Sequence, residues 1–238
     1  NFNKEKIITL LRNNKINYTD HQSNPFLIII SSSVDFVNIG IDKKNLFYEY
    51  IKEATINKES LIKYNFPHFD KNDKFILPYE KIISKDKNAF RHILKKYNLE
   101  KILYVNIKNS IGQNIFEVDI FLFNQYSFQN IIKFQKKYQK KSKNKFLLNN
   151  LSKDIISSLD NWWKKSNQIN NSFSSEIDCL IISKDFNDLI KIKSNINNLS
   201  QIKYLNTKKI ELNKNLIKLK FYGDINILQK TLSTYDTY

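Results

Sequence analysis

The sequence predicts a mixed α/β protein, with an amino-terminal mixed-sheet domain and flanking helices, then a small carboxy-terminal βαββα, ferredoxin-like domain. Three observations predict it. From Ile177 to Leu232 the hydrophobic pattern switches from strand to helix, strand, turn, strand and helix, one strand short of a split-βαβ sandwich. Phe26 to Ile30 is an unbroken apolar run ending in Ser31-Ser32-Ser33, the pattern of a strand covered on both faces. Lys101 to Phe123 reads as two strands around a turn at Gly112, a residue free to take positive φ.

Taken in order, Asn3 to Asn14 is a helix with Ile7, Ile8, Leu10 and Leu11 as its apolar face, and Lys15 to Pro25 is a polar connection. The Phe26 strand follows. Asp42 to Ala54 is a helix with Asp42 at its N-cap. Lys58 to Asp73 is irregular, with a loop marked by Pro67 and the cluster Asp70-Lys71-Asn72-Asp73, and Phe75-Ile76-Leu77 reads as a short strand ending at Pro78. Asp86 or Lys87 to Tyr97 is a helix carrying Phe90, Ile93 and Leu94. In the hairpin's return strand Phe116, Val118, Ile120 and Leu122 alternate with Glu117, Asp119 and Phe121, and Phe128 to Phe134 adds an edge strand.

Phe146 to Ser166 is a long helix, with Leu147, Leu151, Ile155, Leu159 and Trp162 at helical spacing. The uncharged, Asn- and Ser-rich stretch from Asn167 to Ser175 is the expected boundary between domains at 1–168 and 176–238. Beyond it lie a strand at Ile177 to Ile182, a helix at Asp185 to Asn198, and a strand at Ile202 to Leu212 with a bulge near Asn206. Ile217, Leu219 and Phe221 then alternate with Lys218, Lys220 and Tyr222, and Gly223-Asp224 caps a helix to Leu232. The chain stops at Tyr238, where a fourth strand would begin.

Composition sets bounds on function. A hydrophobic content of 41% with 13% aromatics is enough for packed cores, so the chain is not disordered. The skew toward Ile, Lys and Asn is that of an AT-rich genome, which weakens any argument from the net charge of +16. Of the basic residues only Arg12 and Arg91 carry the bidentate fork suited to phosphate. No apolar stretch reaches the ~18 residues of a membrane span. Having no methionine, the chain does not begin at its initiator and is a processed product or a trimmed one. No signal peptide is present in the sequence, which fits the cleavage of one.

Catalytic, metal and cofactor sites are not legible, and no cofactor is expected. His21, His68 and His92 lack metal-ligand spacing, and three glycines are too few for a phosphate-cradling loop. Two weak candidates remain: a cation loop at His68, Asp70 and Asp73, and an enzyme site formed by Ser31 to Asp35 with the His68 loop. Cys179, in an apolar run, reads as a small buried hydrophobe. Lys133 to Lys145 holds seven lysines in thirteen positions, interleaved with Phe134 and Tyr138. That segment reads as a solvated connection or as an anionic-surface or nucleic-acid patch. Of Trp162-Trp163, one enters the core while the other reaches the interdomain seam or solvent; the second reading of the exposed one is a partner anchor. The expected partner surface is Trp163, Lys136, Lys137, Tyr138, Lys140 and Lys141.

The segment Lys87 to Asn124 carries a resemblance. A helix closing at Tyr97, the run Leu99-Glu100-Lys101-Ile102-Leu103-Tyr104-Val105-Asn106, a Gly turn and an amphipathic return strand resemble the amino-terminal domain of the Tol–Pal propeller protein. Curli-export and penicillin-binding-protein-activator lipoproteins share that core. Over nearly the full length, the chain is similar to the bacterial family called domain of unknown function family 2066. The matching positions are the helix Phe2 to Arg12, Asn24-Pro25-Phe26-Leu27-Ile28, Pro67-His68-Phe69-Asp70, and the Gly-Asp-containing segment Asp185 to Leu232. It departs from that pattern at Asp20-His21-Gln22-Ser23-Asn24, where aromatic and Arg residues are usual, and at Asn106, where Gly is frequent. The resemblance implies a non-enzymatic periplasmic protein that binds other envelope proteins, on a sheet edge or the Trp163 face. The alternative is a basic protein that grips nucleic acid or an anionic surface through the 133–145 lysines and a sheet face bearing Tyr204 and Tyr222.

Overall fold

The computed structural model describes residues 3–34, 37–41, 44–56, 59–109, 115–138, 144–211 and 213–234. Among these the chain is a mixed α/β protein with eight helices and two sheets. It divides into two compact units, one formed by Gln22–Trp163 and the other by Asn1–His21 with Lys164–Tyr238.

The first unit is built on the strand order β2-β1-β4-β5-β6, with β3 also on β1. β1 (Phe26–Val34) runs parallel to β4 (Ile102–Asn109), pairing Leu27 with Ile102 through Ser33 with Lys108. β2 (Val37–Ile39) and β3 (Tyr64–Asn65) flank β1 on its other side. β5 (Ile115–Phe123) and β6 (Phe128–Lys137) continue the sheet antiparallel.

The unbroken apolar run of β1 serves both faces, because successive side chains point to opposite sides. Phe26, Ile28 and Ile30 join Leu103, Val105 and Ile107 under Phe47 and Ile51 of α2 (Leu46–Ile56) and under Leu151, Ile155 and Leu159 of α6 (Asn144–Ser166). Leu27 and Ile29 join Ile102 and Tyr104 on the opposite face, against three helices. These are α3 (Lys71–Ile76), α4 (Tyr79–Ile83) and α5 (Lys87–Lys96).

The stretch around Phe75 corrects the sequence expectation. Phe75 and Ile76 close a helix, where a strand ending at Pro78 is expected. Asp70 accepts from the Asp73 N–H, and the Asp73 carboxylate accepts from the Asp70 N–H, a reciprocal capping box. The helix turns the apolar triplet so that Leu77 is fully buried while Phe75 is 83% exposed. Pro78 then starts α4, which the sequence reading misses; its signals were a Pro at the helix start and Glu80 in the first turn. Two other expected features, the Asp42 cap and the Gly112 turn, lie outside the described residues. At the start of α2, Asn45 accepts from the Phe47 N–H and donates its amide to the Ile30 carbonyl.

The second unit holds α1 (Lys4–Asn13), β7 (Ser174–Ile182), α7 (Phe186–Asn197), β8 (Ile202–Ile210), β9 (Lys214–Tyr222) and α8 (Ile225–Thr234). Its antiparallel sheet has the order β7-β9-β8, with Ile217, Leu219 and Phe221 of β9 packed against Leu189, Ile196 and Leu228. Two register shifts in β8 bracket Asn206. The amino-terminal segment is tied in by Arg12, which donates to the Ser200 carbonyl and lies 4.6 Å over the Tyr222 ring. Asn171 donates to the Ile16 carbonyl (2.7 Å), and Tyr18 pairs with Ile169. Gly223 ends β9 at φ +79°, where a Cβ would stand 3.1 Å from the Asn170 nitrogen.

Candidate functional site

The expected partner surface centres on β6, the last strand of the larger sheet. β6 pairs only with β5, so its outer backbone groups have no strand partner among the described residues. Its apolar residues Ile131, Ile132 and Phe134 pack inward on the core. A register shift between Ile120 and Phe121 leaves Ile131 without a Cα partner, a bulge within the edge.

Lysines gather toward the carboxy-terminal end of β6. Lys133 is 75% exposed and stands 3.9 Å from Asp119, with which it is paired in register. Lys136 lies 3.1 Å from Asp154 of α6, and the Tyr138 hydroxyl donates to the same carboxylate at 2.9 Å. The Tyr138 ring meets Phe116 edge-on at 6.0 Å. Burial, then the hydrogen bond to Asp154, pushes the Tyr138 phenol above its usual range, so it remains a protonated donor. Lys137 is exposed and pairs in register with Ile115.

The structure therefore brings Lys136 and Tyr138 together around Asp154 of α6. Trp163 is further along α6, about 14 Å from Asp154 at helical rise. Its ring is half-buried against Phe26 and Trp162, each at 5.9 Å. Lys140 and Lys141 lie outside the described residues.

Of the weaker candidates, Asp35 lies outside the described residues, and the structure separates the others. Ser31 is fully buried, and its hydroxyl meets Tyr104 Oη at 2.8 Å and Asn106 Oδ1 at 3.0 Å, which removes it as an accessible nucleophile. His68 lines a cleft of about 330 Å³ with Lys44, Tyr48, Glu49 and Lys74, not with Ser31. Asp70 and Asp73, read as a cation loop, both accept from Lys96 Nζ at 2.6 Å, and Asp73 also accepts from the Tyr97 hydroxyl at 2.7 Å. The Lys96 hydrogen bond and the Asp73 N–H hold the Asp70 carboxyl below its ordinary range. Among the described residues no group of three His, Cys, Asp or Glu side chains is placed to hold a metal ion.

On the sheet of the second unit, Glu176 accepts from Lys218 (2.6 Å), Lys220 (3.0 Å) and the Tyr204 hydroxyl (2.9 Å). These three partners, in that order, pull its carboxyl down to about 2. Lys208 is paired with Asp178 at 2.7 Å. Cys179 is half-buried, and burial raises its thiol pKa. No helix among the described residues is long and apolar enough to cross a membrane.

No protein-family profile matches the chain, including that of the domain family it resembles, and no curated protein matches it. Two solved structures are similar at a distance. TolB from Acinetobacter baumannii aligns over 70% of this chain and 34% of its own, at 12% identity and a TM-score of 0.35. The LpoB C-terminal domain from Salmonella enterica aligns over 57% of this chain and 95% of its own, at 10% identity and a TM-score of 0.31. The chain thus spans about a third of the TolB it resembles. Likenesses this weak carry no argument about role.

Proposed function

We propose that this is a non-enzymatic binding protein of the bacterial envelope, exported to the periplasm, that takes an extended acidic segment of another envelope protein onto the outer edge of β6. The observation that carries the reading is a long edge strand whose backbone is unpaired outward and whose end bears Lys133, Lys136 and Lys137. Lysines and a bulge on an edge deter pairing with an identical strand. The same lysines favour an acidic strand, so main-chain hydrogen bonds supply affinity and charge supplies selection. Envelope location rests on the element order Lys87 to Asn124 described above.

The nucleic-acid alternative has less behind it. On the smaller sheet, Lys218 and Lys220 are engaged by Glu176, and Lys208 by Asp178. Tyr204 is hydrogen-bonded to Glu176 and Tyr222 lies under Arg12, so neither ring is an open stacking platform.

The test is fluorescence anisotropy with a labelled extended acidic peptide, its alternately N-methylated analogue, and a single-stranded oligonucleotide. The plain peptide binds and the N-methylated one does not, because strand addition needs peptide N–H groups. Lys133→Glu with Lys137→Glu weakens binding about tenfold, as expected for two reversed rim charges. Equal binding of both peptides would reduce the edge to a diffuse charge effect. Tight oligonucleotide binding with a steep salt dependence would replace the reading altogether. Release of the natural gene product by osmotic shock checks the compartment, and retention with cytoplasmic markers would refute it.

A further inference from the structure

The molecule manages its sheet edges unevenly. β2 is three residues long, too short to template much pairing. β6 carries a bulge and lysines. β8 has two register shifts and the exposed residues Lys203, Lys208 and Lys209. β7 has none of these devices. It pairs with β9 over nine consecutive residues without a shift, from Ser174 with Tyr222 to Ile182 with Lys214. Its sequence, Ser174 to Ile182, contains no lysine, proline or glycine. Leu180 is 56% exposed and Ile182 71%. A long edge strand, regular in register, without lysine, proline or bulge and with two exposed aliphatic side chains, is what natural sheets avoid leaving bare.

The position of β7 in the fold sharpens the point. The order β7-β9-β8 is the first, third and second strand of a split-βαβ sheet. The side of β7 away from β9, which has no strand partner among the described residues, is where a fourth strand pairs in that architecture. Ile177 and Cys179 on the helix-facing side are only partly buried there. An added strand would finish covering them.

We propose that a second copy of this chain fills that side, with β7 pairing antiparallel to β7 of the partner about a two-fold axis at Cys179. The occupant is argued from register and charge. Centring on Cys179 sets Ile177 opposite the partner's Ile181, Asp178 opposite the partner's Leu180, and Glu176 opposite the partner's Ile182. Each acid then faces an aliphatic side chain, and the apolar helix-facing row continues across the junction. Centring one residue earlier places Asp178 against the partner's Asp178, a like-charge pair that destabilises antiparallel strands. Centring one residue later moves Ile177 opposite the partner's Ser183, beyond the end of the strand. Glu176 and Asp178 are already neutralised within their own sheet by Lys218, Lys220 and Lys208, so the edge brings little net charge to the contact.

The register makes Cys179 a reporter. Directly opposed residues of an antiparallel pair have Cα atoms about 4.5–5.5 Å apart, within the range of a disulfide. Copper-phenanthroline under air then joins the two thiols, which lose two protons and two electrons to the oxidant.

The experiment is sedimentation and non-reducing electrophoresis of the chain at about 100 µM, a concentration that populates even a micromolar dimer, at about 0.15 M and 0.5 M salt. A dimer forms and is strengthened by the higher salt, which screens repulsion between two chains of net charge +16. Oxidation yields a covalent dimer, and Cys179→Ser keeps the dimer while abolishing the crosslink. Leu180→Lys weakens association at least tenfold. Ile182→Lys, at a still more exposed site, does the same with circular dichroism unchanged, which separates lost pairing from lost folding. A chain monomeric at both salt concentrations overturns the proposal. So does a dimer whose Cys179 never crosslinks or that tolerates both lysines. The acidic-peptide binding at β6 is read in a separate assay, so either reading can fail alone.

Discussion

The edges of β6 and β7 solve the same problem in opposite ways. Both are outer strands of similar length, and both have a bare backbone on one side among the described residues. β6 is bulged and carries lysines, of which Lys136 is held by Asp154. β7 is straight in register, carries only acids that its own sheet neutralises, and shows two aliphatic side chains to solvent. A charged, bulged edge discriminates: it rejects its own kind and most neutral strands, leaving room for a partner of opposite sign. A regular apolar edge does not discriminate, so it must be covered by something always present, and the most available strand is its own copy. The lesson is that an edge's exceptions to alternation, more than its hydrophobicity, say whom it can meet.

The largest test removes the support under one edge and spares the other. Phe221 is almost fully buried on β9, in the core that backs β7. Phe221→Ala should lower the stability of that unit by about 3–5 kcal/mol, the usual loss for a buried aromatic. The expected outcome is loss of the Cys179 crosslink at 25 °C, with acidic-peptide binding kept because β6 rests on a different core. Phe90→Ala, in the core shared by α5 and β4, should destabilise the larger unit by a similar amount and reverse the pattern. Chemical denaturation followed by both readouts checks it. Simultaneous loss of the two functions in each variant would mean one cooperative unit, and the contrast between edges would lose its structural basis.

Much of this was legible in the sequence where periodicity is strong. β9 alternates from Ile217 to Tyr222, β1 opens on the unbroken apolar run Phe26 to Ile30, and α5, α6 and α7 carry helical spacing, so burial dictates each regardless of context. The stretch from Asp70 to Ile83 was not, because Phe75-Ile76-Leu77-Pro78 satisfies a short-strand pattern and a two-turn helix equally well. The capping box decided it, and its signal, Asp70 three residues before Asp73, was read as a loop marker. The lysines of the β6 edge were visible as composition. Asp154, which collects Lys136 and Tyr138, was not singled out, since that contact depends on how α6 crosses the sheet. The strand-helix-strand-strand-helix order of the second unit was legible too, but the contrast between guarded and unguarded edges needs register shifts, which no sequence pattern specifies.

A smaller effect separates the lysines' two tasks at β6. Asp154 accepts from the Tyr138 hydroxyl and pairs with Lys136, so it anchors the strand's end and also occupies one of its cations. Asp154→Asn keeps an acceptor for Tyr138 and removes the charge. Stability should fall by about 1 kcal/mol, the scale of one partly buried charged hydrogen bond. Acidic-peptide affinity should rise two- to threefold or so, as Lys136 is released toward the edge. Association through β7 should not change. Denaturant midpoints, anisotropy and sedimentation on the one variant read all three. A fall in peptide affinity would show that Asp154 matters for holding the edge in shape more than for restraining its charge.

The smallest expected effect concerns pH at the β7 sheet. Lys218, Lys220 and the Tyr204 hydroxyl lower the Glu176 carboxyl from an ordinary 4.5 to about 2. Because the folded pKa lies below the unfolded one, the contribution of Glu176 is fully present above pH 4.5 and fades as pH falls toward about 2. In the folded chain the carboxylate itself stays ionised until pH nears about 2, and there it loses its hold on Lys218 and Lys220 and the sheet face beside β7 gains positive charge in both copies. Association through β7 should therefore weaken chiefly at the lower end of the range from about pH 4.5 to about pH 2, and less steeply at high salt. Glu176→Gln should show at neutral pH the weaker association that wild type reaches only in acid, and should flatten the profile between those limits. Sedimentation across that range for both proteins, with circular dichroism to exclude acid unfolding, decides it. Parallel profiles would mean that the global charge, not Glu176, governs how the straight edge responds to acid.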